Sequence, residues 1–272
     1  MRDVMGEEKW QALAPSLSIG APCDVAELPL SDEMLRNTSE HFWNEGYFNI
    51  PSLLQGDEIA PVREAMLALA VADIPPVYIF LYDQPWWLFV KLNRLLRHFL
   101  GERFAALPNL WAWHLNTEGD KGWPPHRDCD AETVFGEGGA ALLMSLSLWI
   151  PLTDTDEANG CMYVLPRSRE KAIRAIEVLE KSNLLEARAL PASAGAALGW
   201  PQDVYHWGGR YSVSAKNPRL SLSLEFQNCS FSPLAEPLFD AGNLPPFAER
   251  LALIKSQFRK YRHIDSVLSE GT

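Results

Sequence analysis

"RLSLSLEFQ", residues 219–227, alternates polar and apolar side chains at nearly every step. A period of two marks an extended strand, because successive side chains on a strand point to opposite faces. Arg219, Ser221 and Ser223 therefore share one face. Working outward, the same character holds from about residue 109 onward: "NLWAWHLN", "ALLMSLSLWIPL", "CMYVLP" and "AGAALGW" are short apolar runs separated by turns. Such a succession favours a β-sandwich or barrel. The chain before it reads differently. "SDEMLRNTSEHFWNEG" has helical spacing with Ser31 as N-cap and Gly46 as stop. "YFNIPSLL" follows as a short strand, then "GDEIAPVREAMLALAVAD" as an amphipathic helix with Asp57 and Glu58 at its positive N-terminal end. Further helices are expected over 84–100, 167–182 and 245–262, and "FGEGGA" at 135–140 is either a lid or a plain turn. Residues 1–30 lack periodicity and are expected to be an irregular arm. No linker or repeat divides residues 31–272, which are expected to form one domain, mainly β with a helical flank.

Bulk chemistry narrows the function. A formal charge of −11 and a pI near 5.0 argue against nucleic acid as a partner, since phosphate binding rests on clustered Lys and Arg. No run of eighteen apolar residues and no basic-then-apolar leader is present, so no membrane partner is expected, and a cytoplasmic setting is. Cys23, Cys129, Cys161 and Cys229 form no C-x-x-C pair, which suits reduced thiols. G-x-S-x-G, G-x-x-x-x-G-K-[ST] and G-x-G-x-x-G are all missing, which removes the corresponding hydrolase, nucleotidase and dinucleotide readings.

Metal chemistry enters at "GWPPHRDCD", residues 122–130. On an extended segment, His126 and Asp128 point the same way and offer a nitrogen and an oxygen to one point. A two-histidine, one-carboxylate iron site needs one more histidine and leaves open positions for other ligands. His41 and His98 fall on expected helices and His263 in a basic C-terminal run, which leaves His114 and His206. His206 is followed thirteen residues later by Arg219, whose planar guanidinium grips a carboxylate bidentately while the hydroxyl of Ser221 adds a third hydrogen bond. Arg210 is a rival clamp, but it falls in a turn.

Taken together, "HRD" at 126–128, "SLWIPLTDTDEANGCMYVLPRSR" at 147–169, "YHWGG" at 205–209 and "NPRLSLSLEF" at 217–226 resemble the phytanoyl-CoA dioxygenase family of iron(II)- and 2-oxoglutarate-dependent oxygenases. "FWNEGYFNIPSLLQGDEIAPVREAM" matches that family's usual beginning, and the likeness covers roughly residues 41–228. The resemblance implies a double-stranded β-helix, a jelly-roll, cupin-like barrel with an N-terminal helical layer. By position it implies His126, Asp128 and His206 as iron ligands, Arg219 with Ser221 as the anchor of the 2-oxoglutarate carboxylate, and Trp149 as a pocket-lining aromatic. His114 is a further candidate for touching cosubstrate or substrate. The expected cofactors are Fe(II), 2-oxoglutarate and O2, and the expected activity is hydroxylation of a small-molecule C–H bond with release of succinate and CO2. Asp128 is retained, which speaks against the halogenase variant of this barrel. Trp86, Trp87, Trp111, Trp113 and Trp123 are candidates for an aromatic mouth. A zinc-dependent hydrolase using the same ligands, or a catalytically silent jelly roll, are the alternatives; the first has no use for Arg219. Substrate identity and oligomeric state have no readable motif.

Overall fold

The alternating stretch becomes the strand on which the fold is organised. In a computed structural model, residues 6–136, 141–170 and 186–263 are described. The strands are β1 (Phe48–Ile50), β2 (Phe104–Leu115), β3 (Val134–Phe135), β4 (Leu142–Leu143), β5 (Ser145–Pro151), β6 (Met162–Val164), β7 (Arg188–Leu190), β8 (Ala197–Pro201), β9 (His206–Gly208) and β10 (Arg219–Asn228). A five-stranded antiparallel sheet runs in the order β1-β8-β5-β10-β2, and a three-stranded sheet in the order β7-β6-β9. An antiparallel bridge between His126 and His206 extends the small sheet beyond β9. From β2 the chain visits the small sheet at His126, the large sheet at β5, the small sheet at β6 and β7, the large at β8, the small at β9 and the large at β10. This alternation between two facing sheets is the double-stranded β-helix.

Polarity across the large sheet is inverted relative to a simple sandwich. Leu220, Leu222, Leu224 and Phe226 of β10, with Leu146, Leu148 and Ile150 of β5, pack outward into the main hydrophobic cluster beneath the helices. Their alternates point inward. Ser221, Ser223, Glu225 and Gln227 of β10 stand opposite Pro151, Trp149, Ser147 and Ser145 of β5, so residues on this inner face are largely polar. The leucine face thus stabilises the fold through burial, at roughly 1.5–3 kcal/mol for each fully buried side chain, and leaves the other face free for chemistry.

The helical layer is α1 (Glu7–Leu13), α2 (Asp32–Glu45), α3 (Gly56–Val71), α4 (Gln84–Val90), α5 (Asn93–Leu100), α6 (Arg167–Glu170) and α7 (Phe247–Lys260), with short 3-10 turns at Pro76–Leu81 and Tyr261–His263. The Ser31 hydroxyl caps α2 by accepting from the Met34 amide, and Gly46 ends it at φ +80°. Two expectations need correction. The first thirty residues are not wholly irregular: α1 buries Trp10, which stacks on Tyr78 at 5.3 Å, and the Tyr82 hydroxyl donates to the Trp10 carbonyl at 2.6 Å. The single helix over 84–100 is instead α4 and α5, broken at Lys91–Leu92. The Lys91 carbonyl accepts from the Leu28 amide at 2.9 Å, tying the N-terminal arm to the break. The expected helix over 167–182 is seen only as α6, its remainder and residues 137–140 of "FGEGGA" lying outside the described residues. No helix among the described residues is long and apolar enough to cross a membrane.

One buried ion pair joins the two ends of the chain to the helical layer. Asp83 accepts from Arg250 of α7 at 2.6 Å, from the Ser18 hydroxyl at 2.7 Å and from the amides of Gly20 and Ala21 at 3.0 and 2.9 Å. Both charged residues are almost fully buried. Removing one partner strands the other charge, so Asp83→Ala is expected to lower unfolding free energy by about 3–5 kcal/mol in urea denaturation. A loss below about 1 kcal/mol would show that the pair does not hold the ends together.

Candidate active site

Three ligand-type side chains converge where the two sheets face each other. His126, Asp128 and His206 each present an atom within 4.8 Å of the others. His126 Nε2 lies 3.4 Å from Asp128 Oδ1, and His206 Nε2 lies 3.6 Å from Asp128 Oδ2. The backbone makes this meeting unavoidable, because the amide of each histidine donates to the other's carbonyl, at 3.1 and 3.0 Å.

Neighbouring groups fix the orientation of each ring. His126 Nδ1 contacts the Pro124 carbonyl at 2.7 Å and His206 Nδ1 contacts the Val204 carbonyl at 3.0 Å. A carbonyl only accepts, so Nδ1 carries the hydrogen and each Nε2 lone pair is turned toward the shared point. Asp128 Oδ2 accepts from the Ser147 hydroxyl at 2.6 Å. Burial pushes the His206 pKa down to about 4. Burial also opposes charge on His126, but the Asp128 carboxylate outweighs it and the net direction is upward. For Asp128 itself burial acts upward, and His206, His126 and Ser147 together hold it well below the usual carboxylate range. The trio therefore contains an ionised carboxylate beside an imidazole kept neutral, the donor set of a divalent metal.

A second feature adjoins the trio. Arg219 is fully buried, and its one hydrogen bond runs from Nη1 to the Gly160 carbonyl at 2.5 Å. Its Nε and Nη2 have no partner, nor do the buried Ser221 hydroxyl and the indole nitrogens of Trp113 and Trp149. The guanidinium carbon lies 5.7 Å from the Trp113 ring and 5.9 Å from the Trp149 ring. Burial pulls the Arg219 pKa down to about 9, which still leaves it charged at neutral pH. Unsatisfied buried donors are rare and costly. Arg219, Trp113 and Trp149 line the pocket, while Ser221 is buried two residues from Arg219 on the same strand face and is not itself a lining residue; all of these groups can donate to an anion.

Glycines keep that wall of the pocket close to the loop that carries His126 and Asp128. Gly122 begins the loop and Gly208 ends β9; a Cβ on Gly208 would sit 2.7 Å from the Gly122 Cα and 2.9 Å from Arg219 Nη1.

The remaining sequence candidates divide cleanly. Trp113, Trp123 and Trp149 line the pocket. His114 does not: it pairs with Leu220 on β10, so it faces away from Arg219, and its neighbour Trp113, opposite Ser221, takes the inward place. Arg210 is exposed and forms a backbone bridge with Lys121, which removes it as a clamp. Trp86 is buried in the helical layer, with its indole donating to the Phe80 carbonyl at 2.9 Å, and Trp87 is not a lining residue. Trp111 stands behind the lining, packed on Trp123 and Tyr261. His41 and His98 are exposed on α2 and α5. The lining also includes Met162, Trp200, Glu225 and Tyr261, which the sequence reading did not single out. Glu225 was legible, because it shares the parity of Arg219 on β10. Tyr261 was not, since nothing local reveals that the end of α7 folds over the barrel.

A double-stranded β-helix with two histidines and a carboxylate at its mouth and a buried arginine inside defines the class of site. The sequence profile of the phytanoyl-CoA dioxygenase (PhyH) family matches residues 75–217, just over half of the chain, and the chain belongs to that family. A comparison with curated proteins returned no match. Solved structures of similar fold include HygX from Streptomyces hygroscopicus with nickel and 2-oxoglutarate bound. It is 14% identical, covers 75% of this chain and 89% of its own, and gives a TM-score of 0.58. The non-heme alpha ketoglutarate dependent epimerase SnoN from nogalamycin biosynthesis is 17% identical over 73% of this chain and 84% of its own, with a TM-score of 0.52. The carbocyclase SnoK from the same biosynthesis is 16% identical over 77% and 88%, with a TM-score of 0.53. At these identities the likeness carries the fold.

Gly208→Ala is expected to push the metal loop from Arg219 and to destabilise the protein by about 1–3 kcal/mol, read from thermal unfolding. An unchanged midpoint would show that the close approach of Gly122 and Gly208 is not required.

Proposed function

We propose that the protein is an Fe(II)- and 2-oxoglutarate-dependent dioxygenase that hydroxylates a C–H bond of a small molecule, with release of succinate and CO2. The observation that carries this reading is the row of unsatisfied buried donors on Arg219 and Ser221 beside the His126, Asp128 and His206 trio. The donor chemistry fits both groups. Two imidazoles with Nε2 turned to one point and one carboxylate suit a divalent iron and leave coordination positions for other ligands. A buried guanidinium without a counter-anion, with a hydroxyl two residues along the same strand face, suits the far carboxylate of a dicarboxylate.

In this reading His126, Asp128 and His206 hold the iron, and Ser147 keeps Asp128 turned toward it. Arg219 holds the distal carboxylate, Ser221 adds a hydrogen bond, and Trp113 and Trp149 wall the anion and exclude water. When bound, iron and 2-oxoglutarate supply the activation of O2, with oxidative decarboxylation of the cosubstrate providing the oxidising power. The barrel's share is to fix, orient and shield, which the aromatic lining serves. The structurally similar proteins include an epimerase and a carbocyclase by description. Hydroxylation is the outcome we assign here. A metal-dependent hydrolase would leave the Arg219 donors without purpose.

The test is an anaerobic titration of metal-free protein with Fe(II) and 2-oxoglutarate, following the weak visible absorption of the iron chelate. The wild type is expected to develop the band. His126→Ala is expected to abolish it, and Arg219→Ala to raise the 2-oxoglutarate needed by about tenfold to a hundredfold, the loss of a charge-assisted, bidentate hydrogen bond. A folded wild type that takes up metal and shows no band refutes the assignment.

A further inference from the structure

A second arrangement surrounds the loop of His126 and Asp128 on the face of the small sheet turned away from the pocket. His126 pairs with His206 across an antiparallel bridge, so the next pair along the two segments is Arg127 and Tyr205. Alternation puts both side chains on the face opposite the two histidines, and neither lines the pocket. There the Arg127 guanidinium carbon sits 4.3 Å over the centre of the Tyr205 ring. Cation and ring attract each other in this geometry.

The same guanidinium is held from α6. Arg127 Nη2 donates to Glu170 Oε1, and the Glu170 amide donates to the Pro166 carbonyl at 2.9 Å, closing the turn. Two further contacts seat α6 on its surroundings. Arg167 Nη2 donates to Asp203 Oδ1 at 2.6 Å, and the Ser168 hydroxyl donates to Glu45 Oε2 at 2.7 Å. Gly46, at the end of α2, leaves room for the Arg167 stem, since a Cβ there would sit 2.7 Å from the Arg167 Cγ. Just ahead of α6, the Leu165 amide donates to the Tyr205 carbonyl at 2.9 Å. Asp203 stands three residues before His206, and Arg127 stands between His126 and Asp128. This short helix therefore grips both segments that supply the trio.

The position of Arg127 is what gives these contacts a use. An ion pair at a surface contributes little by itself. Here, however, the arginine side chains of 127 and 167 are partly shielded, and Arg127 is confined by a ring on one element and a carboxylate on another. Its planar guanidinium can meet both in few arrangements, so the backbone that carries it is confined as well. On the pocket side that backbone is held by the His126 and His206 bridge, by the Cys129 amide donating to the Gln202 carbonyl at 3.0 Å and by Ser147 on Asp128. Arg127 adds a hold from the outside. Ligand side chains bind a metal tightly only when the scaffold has fixed them beforehand, because ordering them afterwards costs conformational entropy.

We propose that Arg127 is a positioning residue for the trio: held by Tyr205 and by Glu170 of α6, it fixes His126 and Asp128 in their convergent arrangement before a metal binds. Arg127 touches neither the pocket nor anything bound in it, and it acts through the backbone between the two side chains it positions. The proposal rests on the metal-binding part of the oxygenase reading and is tested without turnover.

The test is a titration of Co(II) into the metal-free full chain, followed by the visible absorption of the bound ion, for the wild type, Arg127→Met, Glu170→Gln and the double variant. Thermal unfolding of each metal-free protein is recorded alongside. Arg127→Met and Glu170→Gln are each expected to weaken Co(II) binding about tenfold, in protein that still unfolds cooperatively. The double variant is expected to bind within about threefold of the weaker single variant, because a cut at either end releases the same hold. A loss under about threefold in either single variant overturns the proposal, as do two losses that multiply in the double variant. A lowered thermal midpoint with Co(II) affinity unchanged shows that the contact serves stability alone and also overturns it. Should Arg127→Met fail to fold, Glu170→Gln, which lies outside the loop, decides by the same threshold. The expected Co(II) pattern without an Fe(II) and 2-oxoglutarate band would leave this inference standing while refuting the oxygenase reading. A band in the wild type with Co(II) affinity indifferent to Glu170→Gln would do the reverse.

Discussion

A guanidinium buried inside a barrel without an anion is the constraint on which the rest of the structure turns. Arg219 is fully enclosed, yet most of its donor capacity is unused. Burying a charge in this way costs several kcal/mol unless something compensates. The protein compensates only in part, through the Gly160 carbonyl and the faces of Trp113 and Trp149. Two features of the barrel keep that charge in position beside the His126, Asp128 and His206 trio. The leucine face of β10 anchors the strand to the helical layer, and the glycine pair lets the metal loop close against β9 beside the guanidinium. In the proposed reading the pocket is thus prearranged for an anion.

The same strand explains how much was legible in the sequence. Alternation in residues 219–227 identified a strand and put Arg219, Ser221 and Ser223 on one face, as the structure has them. The usual direction of such a pattern would put the leucines into the barrel. They point outward because the helical layer, rich in Trp, Phe and Leu, supplies a larger apolar surface than the barrel interior does. His126 and Asp128 were legible because an i, i+2 spacing on extended backbone is a local matter. His206 was reachable only by elimination and by the resemblance to an oxygenase family, since its bridge to His126 joins residues far apart in the chain.

What escaped the sequence was set by tertiary geometry. His114 and Trp113 are neighbours, and a shift of one residue in strand phase exchanges which of them faces the pocket. The break between α4 and α5 is tied to Leu28, more than sixty residues away, so no helical periodicity announces it. Tyr261 reaches the pocket because α7 packs against the barrel, and its sequence surroundings, a basic run, read as ordinary surface.

The central claim is that the unused donors of Arg219 and Ser221 are the complement of a carboxylate beside a metal. A crystal structure of the protein with Mn(II) in place of iron and with 2-oxoglutarate tests it most directly. The account expects Mn(II) on His126, Asp128 and His206, with the distal carboxylate accepting from Arg219 and from the Ser221 hydroxyl. Mn(II) bound elsewhere, or 2-oxoglutarate seated away from Arg219 with its donors still unmet, would contradict it.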